Sequence, residues 1–200
     1  MVESQLRPEG VTDPAVIEAM AAIAREKFLP EAVRPLAYAD RAIALGEGRF
    51  LPPPAILGQL LSRMAPEAGH RALVVGAGSG YSSAVLTRLG LDVVALESSA
   101  TLAACARDLG IDVLEGPLEA GWSEAAPYDL ILIDGAIENI PEAIIGQLGD
   151  GGQLGTSLIE RGVTRLIVGR KAGGGFGYLS LGDAGTPALP GFSRPTAFTF

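Results

Sequence analysis

From Arg71 onward the chain alternates short apolar runs with stretches of helical spacing, and that rhythm limits the folds open to it more than any other feature. The runs are ALVV (72–75), LDVVAL (91–96), IDVL (111–114), YDLILID (128–134) and GQLGTSLI (152–159). They are aliphatic and short, as strands buried on both faces are. Between them lie YSSAVLTRLG, SSATLAACARDLG and IPEAIIGQLGDGG, each apolar at helical spacing and each closing on glycine, the residue that most easily takes the left-handed turn ending a helix. Strand, helix, strand in this order builds a parallel sheet from βαβ units, so the expected class is α/β. After Glu160 the runs VTRLIVGRK, GFGYLSLG and PTAFTF follow without helices between them, which predicts antiparallel strands closing the sheet.

Ahead of the sheet, TDPAVIEAMAAIA places Asp13 as N-cap and Pro14 at the first helical position, with Val16, Ile17, Met20 and Ile23 on one face; this predicts a helix. A second helix carries Ile56, Leu57, Leu60, Leu61 and Met64. The glycines and prolines of ALGEGRFLPPP (44–54) predict an irregular loop before it. At 200 residues the chain has the size of one domain. The expected organisation is a helical cap over 1–67, a βαβ core over 68–160 and closing strands over 161–200.

The formal charge of −8 argues against a nucleic-acid duplex or an anionic membrane as partner, because binding phosphate needs a basic field. No apolar run approaches the ~18 residues of a membrane span, and the N-terminus has no signal-peptide pattern; the expectation is a cytoplasmic enzyme. Cys105 is the one cysteine and His70 the one histidine, which excludes a disulfide framework and paired-ligand zinc motifs. Cys105, in register with Leu102, Ala106 and Leu109, is expected in the core, and His70 in a solvated loop.

The segment LVVGAGSGYSSAVL (73–86) puts a strand, a glycine turn and a helix N-terminus in sequence. That arrangement presents backbone N–H groups at the carboxyl end of a strand, where open α/β sheets bind ligands. Gly76, Gly78 and Gly80 permit close approach, but Tyr81 stands where a dinucleotide fingerprint would have its third glycine. The next strand ends at Glu97, seventeen residues beyond Gly80, placed to accept bonds from both hydroxyls of an adenosine ribose. Glycine turn and acid together indicate an adenosine cofactor, either NAD or S-adenosylmethionine.

Methyl transfer from a sulfonium is a direct displacement that mainly needs alignment, worth up to roughly 7–11 kcal/mol. A carboxylate acceptor, with a pKa near ~4, is already ionised at neutral pH and needs no general base. A chain with one histidine and one cysteine suits such chemistry, and the methyl donor is favoured. NAD-dependent oxidation ranks lower, since neither Tyr-x-x-x-Lys nor a catalytic histidine arrangement is present.

ALVVGAGSGYSSAVLTRLG followed by VVALE resembles the donor-binding segment of the protein-L-isoaspartate O-methyltransferases. VIEAMAAIAREKFLP and AYADRAIALGEGRFL resemble that family's N-terminal cap, PYDLILIDGAIENIPEAIIGQLGDGGQL its fourth and fifth strands, and LPGFSRPTAFTF its closing region. The resemblance implies a Rossmann-like class I methyltransferase with a mostly parallel seven-stranded sheet, helices on both faces and a helical cap. It implies S-adenosylmethionine as cofactor and a protein or peptide substrate whose isoaspartyl or related carboxylate is esterified. Gly76, Gly78, Ser79, Gly80 and Tyr81 would surround the donor's methionine part, Glu97 its ribose, and Gly116 and Leu118 its adenine, with Ser98 also among the cofactor-binding residues.

Where the family reads Thr-Ile-Ser, its Ser assigned to the active site, this chain has Phe50, Leu51 and Pro52. Leu51 and Pro52 would then face substrate without a hydroxyl. Pro117 replaces an acidic residue after the third strand, removing an acceptor for the adenine amine. Asp134 stands where the family has a smaller uncharged residue, and either binds the donor or acceptor or caps the following turn. Asp40 matches a family position and is expected to hold the N-terminal loop through backbone bonds. The alternative function is a donor-binding protein that has lost turnover and acts through partners.

Overall fold

The computed structural model describes residues 1–194; the run PTAFTF (195–200) lies outside them. Asp13 caps the first helix, α1 (Pro14–Ala22), accepting from the amides of Ala15 and Val16, with Pro14 at its first position. Helix α2 (Pro54–Met64) also begins on proline and turns Leu57, Leu60, Leu61 and Met64 inward. Between them the expected loop is partly regular. β1 (Ile43–Gly46) and β2 (Arg49–Leu51) form an antiparallel hairpin. Glu47 and Gly48 form its turn, both with positive φ, the backbone that matches the twist of a two-residue hairpin. Composition read as a breaker what is in fact turn chemistry.

The sheet follows the βαβ rhythm: β3 (Arg71–Val75), α3 (Tyr81–Arg88), β4 (Asp92–Glu97), α4 (Ala100–Asp108), β5 (Val113–Glu115), β6 (Tyr128–Ile137), α5 (Glu142–Gly146), β7 (Leu148–Glu160), β8 (Val163–Ala172) and β9 (Gly175–Asp183). Strand order is β5-β4-β3-β6-β7-β8-β9. The pairs from β5 to β7 are parallel, and β7–β8 and β8–β9 antiparallel. Among the described residues the sheet has seven strands, which account for every expected run but PTAFTF.

Because β4 and β5 are laid down on one side of β3 and β6 on the other, the chain reverses its winding between β3 and β6. A crevice at the carboxyl end of that switch point is where such sheets take ligands.

Strand alternation splits the core in two. Ala72 and Val74 face a cluster built with α1, α2, α3 and α4, whereas Leu73 and Val75 face a second cluster with Leu96, Leu118, Ile131, Ile133 and Ile144. The second face has the five-residue α5 and short 3₁₀ turns over it. Leu189 and Phe192, from the segment after β9, complete it.

Two expectations about single residues are corrected. Cys105 is exposed: α4 buries Leu102, Ala103 and Ala106, leaving Cys105 and Leu109 along a groove of about 450 Å³ with Phe28, Leu45 and Ser79. Asp40 is exposed, and the N-terminal loop is held by Gln5, which donates to the Tyr38 carbonyl at 3.1 Å, and by Arg25, which donates to that of Ala37 at 2.8 Å. His70 lies in the turn before β3, as expected.

Candidate active site

The glycine turn leaves β3 at Gly76 with φ +79°, and a Cβ there would meet Arg49 Nη2 at 2.7 Å and Leu189 at 3.1 Å. Glycine is thus required twice over, by the backbone and by what presses on it. Gly78 and Gly80 also have positive φ, and Gly80 leads into α3. Ser79 is turned away from the crevice, its hydroxyl donating to the Phe28 carbonyl at 2.5 Å. Tyr81 is 1% exposed, edge-on to Phe28 and beneath the Arg25 guanidinium, which lies 4.9 Å from its ring centroid. Its hydroxyl has no well-formed hydrogen bond among the described residues. Burial raises the Tyr81 pKa, opposed by Arg25, and lowers that of Arg25 itself.

Glu97 closes β4 on the crevice side and has no exposed surface. Its Oε2 accepts from the Gly78 amide at 2.7 Å, and its Oε1 from the amides of Ser98 and Ser99 at 2.8 and 3.0 Å. A fourth donor is Arg49, whose Nη1 lies 3.0 Å from Oε1 and whose Nη2 donates to the Gly76 carbonyl at 2.6 Å. Hairpin alternation turns Arg49 and Leu51 inward and Phe50 outward. Arg49 was missed in the sequence because a lone cation beside two glycines reads as surface; the available signal was its two-residue offset from Leu51 in a strand facing an acid.

Asp134, within the second half of β6, is half-buried and accepts a hydrogen bond from the Ser82 hydroxyl on α3. It therefore joins strand to helix and does not cap the turn after it. Desolvation raises its pKa, against the Ser82 bond and the charges of Arg49 and Arg25. Leu51 is buried in the core, and Pro52 is covered, its carbonyl accepting from Arg25. Neither has the surface to meet a protein substrate in this state; the half-exposed side chain at that point is Phe50. Gly116 lies beside Leu96 and Trp122, and Leu118 is 2% exposed in the same apolar cluster as Phe192.

Gly76, Gly78, Tyr81, Glu97 and Asp134 thus converge at the switch point, with Leu118 and Gly116 on one flank. Between Arg49, Pro52, Asp134, Gly135 and Leu189 a space of about 10 Å³ remains, the lower limit for one water.

The family model described as Protein-L-isoaspartate(D-aspartate) O-methyltransferase matches residues 1–175. A protein-L-isoaspartate O-methyltransferase of Methylorubrum extorquens is 42% identical over 77% of this chain and 70% of its own length. One of Pelotomaculum thermopropionicum is 35% identical over 91% of this chain and 83% of its own. A solved beta-aspartate methyltransferase of Plasmodium falciparum, in complex with S-adenosyl-L-homocysteine, has a TM-score of 0.80 at 21% identity, covering 92% of this chain and 94% of that one. Another solved protein-L-isoaspartate O-methyltransferase has a TM-score of 0.82 at 22% identity, and this chain spans 64% of it. Fold, switch-point crevice and sequence agree: the chain belongs to the protein-L-isoaspartate O-methyltransferase family.

Proposed function

We propose that the chain is an S-adenosylmethionine-dependent O-methyltransferase of the cytoplasm, acting on the carboxylate of an isoaspartyl residue in a protein or peptide. The observation that carries this reading is the glycine turn at the switch point tied to a buried acid, Gly78 N–H to Glu97 Oε2 at 2.7 Å. This is the pairing an adenosine ligand requires, with amides for close approach and a carboxylate for the ribose.

The residue types suit the donor, and their arrangement in this state does not admit it. Glu97 is engaged by five hydrogen-bond donors, and beside Asp134, Arg49 and Leu189 the space is about 10 Å³, whereas a ligand pocket of useful size holds roughly 300 Å³ or more. When bound, the donor supplies an activated methyl group. The chain's own residues supply alignment and exclusion of water.

Incubation with methyl-labelled donor and an isoaspartyl peptide is expected to give a base-labile methyl ester. Absence of ester, with the donor analogue S-adenosylhomocysteine bound, would overturn the assignment of acceptor. The closed crevice favours a second reading, donor binding without turnover, and a panel of acceptors that all stay unmethylated would establish it.

A further inference from the structure

The crevice is filled by ordered parts of the same molecule, and two of them lie against residues expected to hold different portions of the donor. Arg49 is 3% exposed and bonded to Glu97, the ribose acid. Leu189 presses on the turn after β3 and on β6 itself, since a Cβ at Gly76 or Gly135 would meet it at 3.1 or 2.9 Å. Phe192 is 2% exposed in the apolar cluster on that face of the sheet, its carbonyl accepting from the Glu138 amide just past β6.

We propose that the donor crevice is held shut by the chain's own residues, Arg49 of the β1–β2 hairpin and Leu189 with Phe192 of segment 186–192, and that a donor enters only when they withdraw. The inference rests on reading the crevice as a donor site and adds what controls access to it.

The segment is built to move as a unit. Its body is tied to β6 by three backbone bonds: the Ala136 amide to the Pro187 carbonyl at 3.0 Å, the Leu189 amide to the Ala136 carbonyl at 2.7 Å and the Glu138 amide to the Phe192 carbonyl at 3.2 Å. Side-chain contacts pin its ends, Thr186 to Ser157 and Arg194 to Glu138. None of these bonds belongs to the ladders between β3 and β9, so the segment can open without unpairing the sheet, at the cost of exposing Leu189 and Phe192. Arg49 is held differently, because its departure leaves the buried Glu97 carboxylate with amides and the Ser98 hydroxyl but without its cation, a loss that further donors must offset. Ribose hydroxyls are such donors. Ligand entry and release of Arg49 are therefore one exchange of partners on Glu97.

The full chain is titrated calorimetrically with S-adenosylhomocysteine, as wild type and as Arg49→Gln, with Leu189→Ala in reserve should Arg49→Gln fail to fold. Amide exchange is followed with and without the analogue. Binding roughly tenfold or more tighter in the variant is expected, since apparent affinity scales with the open fraction, together with lost protection of the Leu189 and Ala136 amides in saturated wild type. Tight binding by wild type with both amides still protected would overturn the closed crevice and leave the methyltransferase reading standing. No heat from wild type or from folded variants would overturn the donor reading itself, and the inference with it.

Discussion

An arginine–carboxylate pair lies at each end of β4, one made with Arg71 of β3 and the other with Arg49 of the β1–β2 hairpin, and the two differ chiefly in surroundings. At the amino end Arg71 Nε lies 3.2 Å from Asp92 Oδ2, with the side chains 46% and 64% exposed. At the carboxyl end Arg49 Nη1 lies 3.0 Å from Glu97 Oε1, with the side chains 3% and 0% exposed. Water screens the first pair and competes for it, so it contributes about 0.2–1 kcal/mol. The second has lost its water, and either partner alone would be an unpaired charge inside protein. The same chemistry decorates one end of the strands and locks the other.

Breaking the buried pair is the largest test of that contrast. Arg49→Met should cost about 3–5 kcal/mol in urea unfolding at neutral pH, and a loss under about 1 kcal/mol would place it with the surface pairs. Adding Glu97→Gln to Arg49→Met should recover part of the loss, because the stranded charge is then gone.

Asp134 sharpens the contrast through pH. Its folded pKa is raised by desolvation, whereas in the unfolded chain it titrates near the ordinary value of about 4. Between the two the folded protein holds the extra proton, so this residue's contribution to stability falls as pH rises from the unfolded towards the folded pKa. Asp134→Asn removes that loss, and its stability relative to wild type should improve from pH 4 to pH 7. An unchanged difference would mean that Arg49 and Arg25 balance the desolvation completely. The smallest effect belongs to the surface pair: Arg71→Ala should cost no more than about 1 kcal/mol, and less at high salt.

Much of the fold was legible because its signals are local. The Asp13 cap, the proline start of α1, and the apolar runs ALVV and YDLILID each depend on neighbours in sequence, and each appears where expected. The hairpin was not legible, since the glycines and prolines that read as breakers flank two very short strands. Cys105 was misplaced for a related reason. Leu102, Cys105, Ala106 and Leu109 share a broad face of α4, and only the position of the neighbouring elements decides that Ala106 is covered while Cys105 borders a groove.

The candidate site divides in the same way. Gly76, Gly78, Gly80 and Glu97 could be named from spacing, because a turn and a strand end fix them along the chain. Arg49 and Phe192, 48 residues before Glu97 and 95 after it in the numbering, could not. The sequence by itself determined an α/β sheet, a glycine turn and an acid at the strand end beyond it, all set by backbone conformation and periodicity within a few residues. Only the tertiary structure decided that this acid meets an arginine and that a late segment covers both. Ion pairing and apolar burial depend on distance in space, to which position along the chain gives no guide.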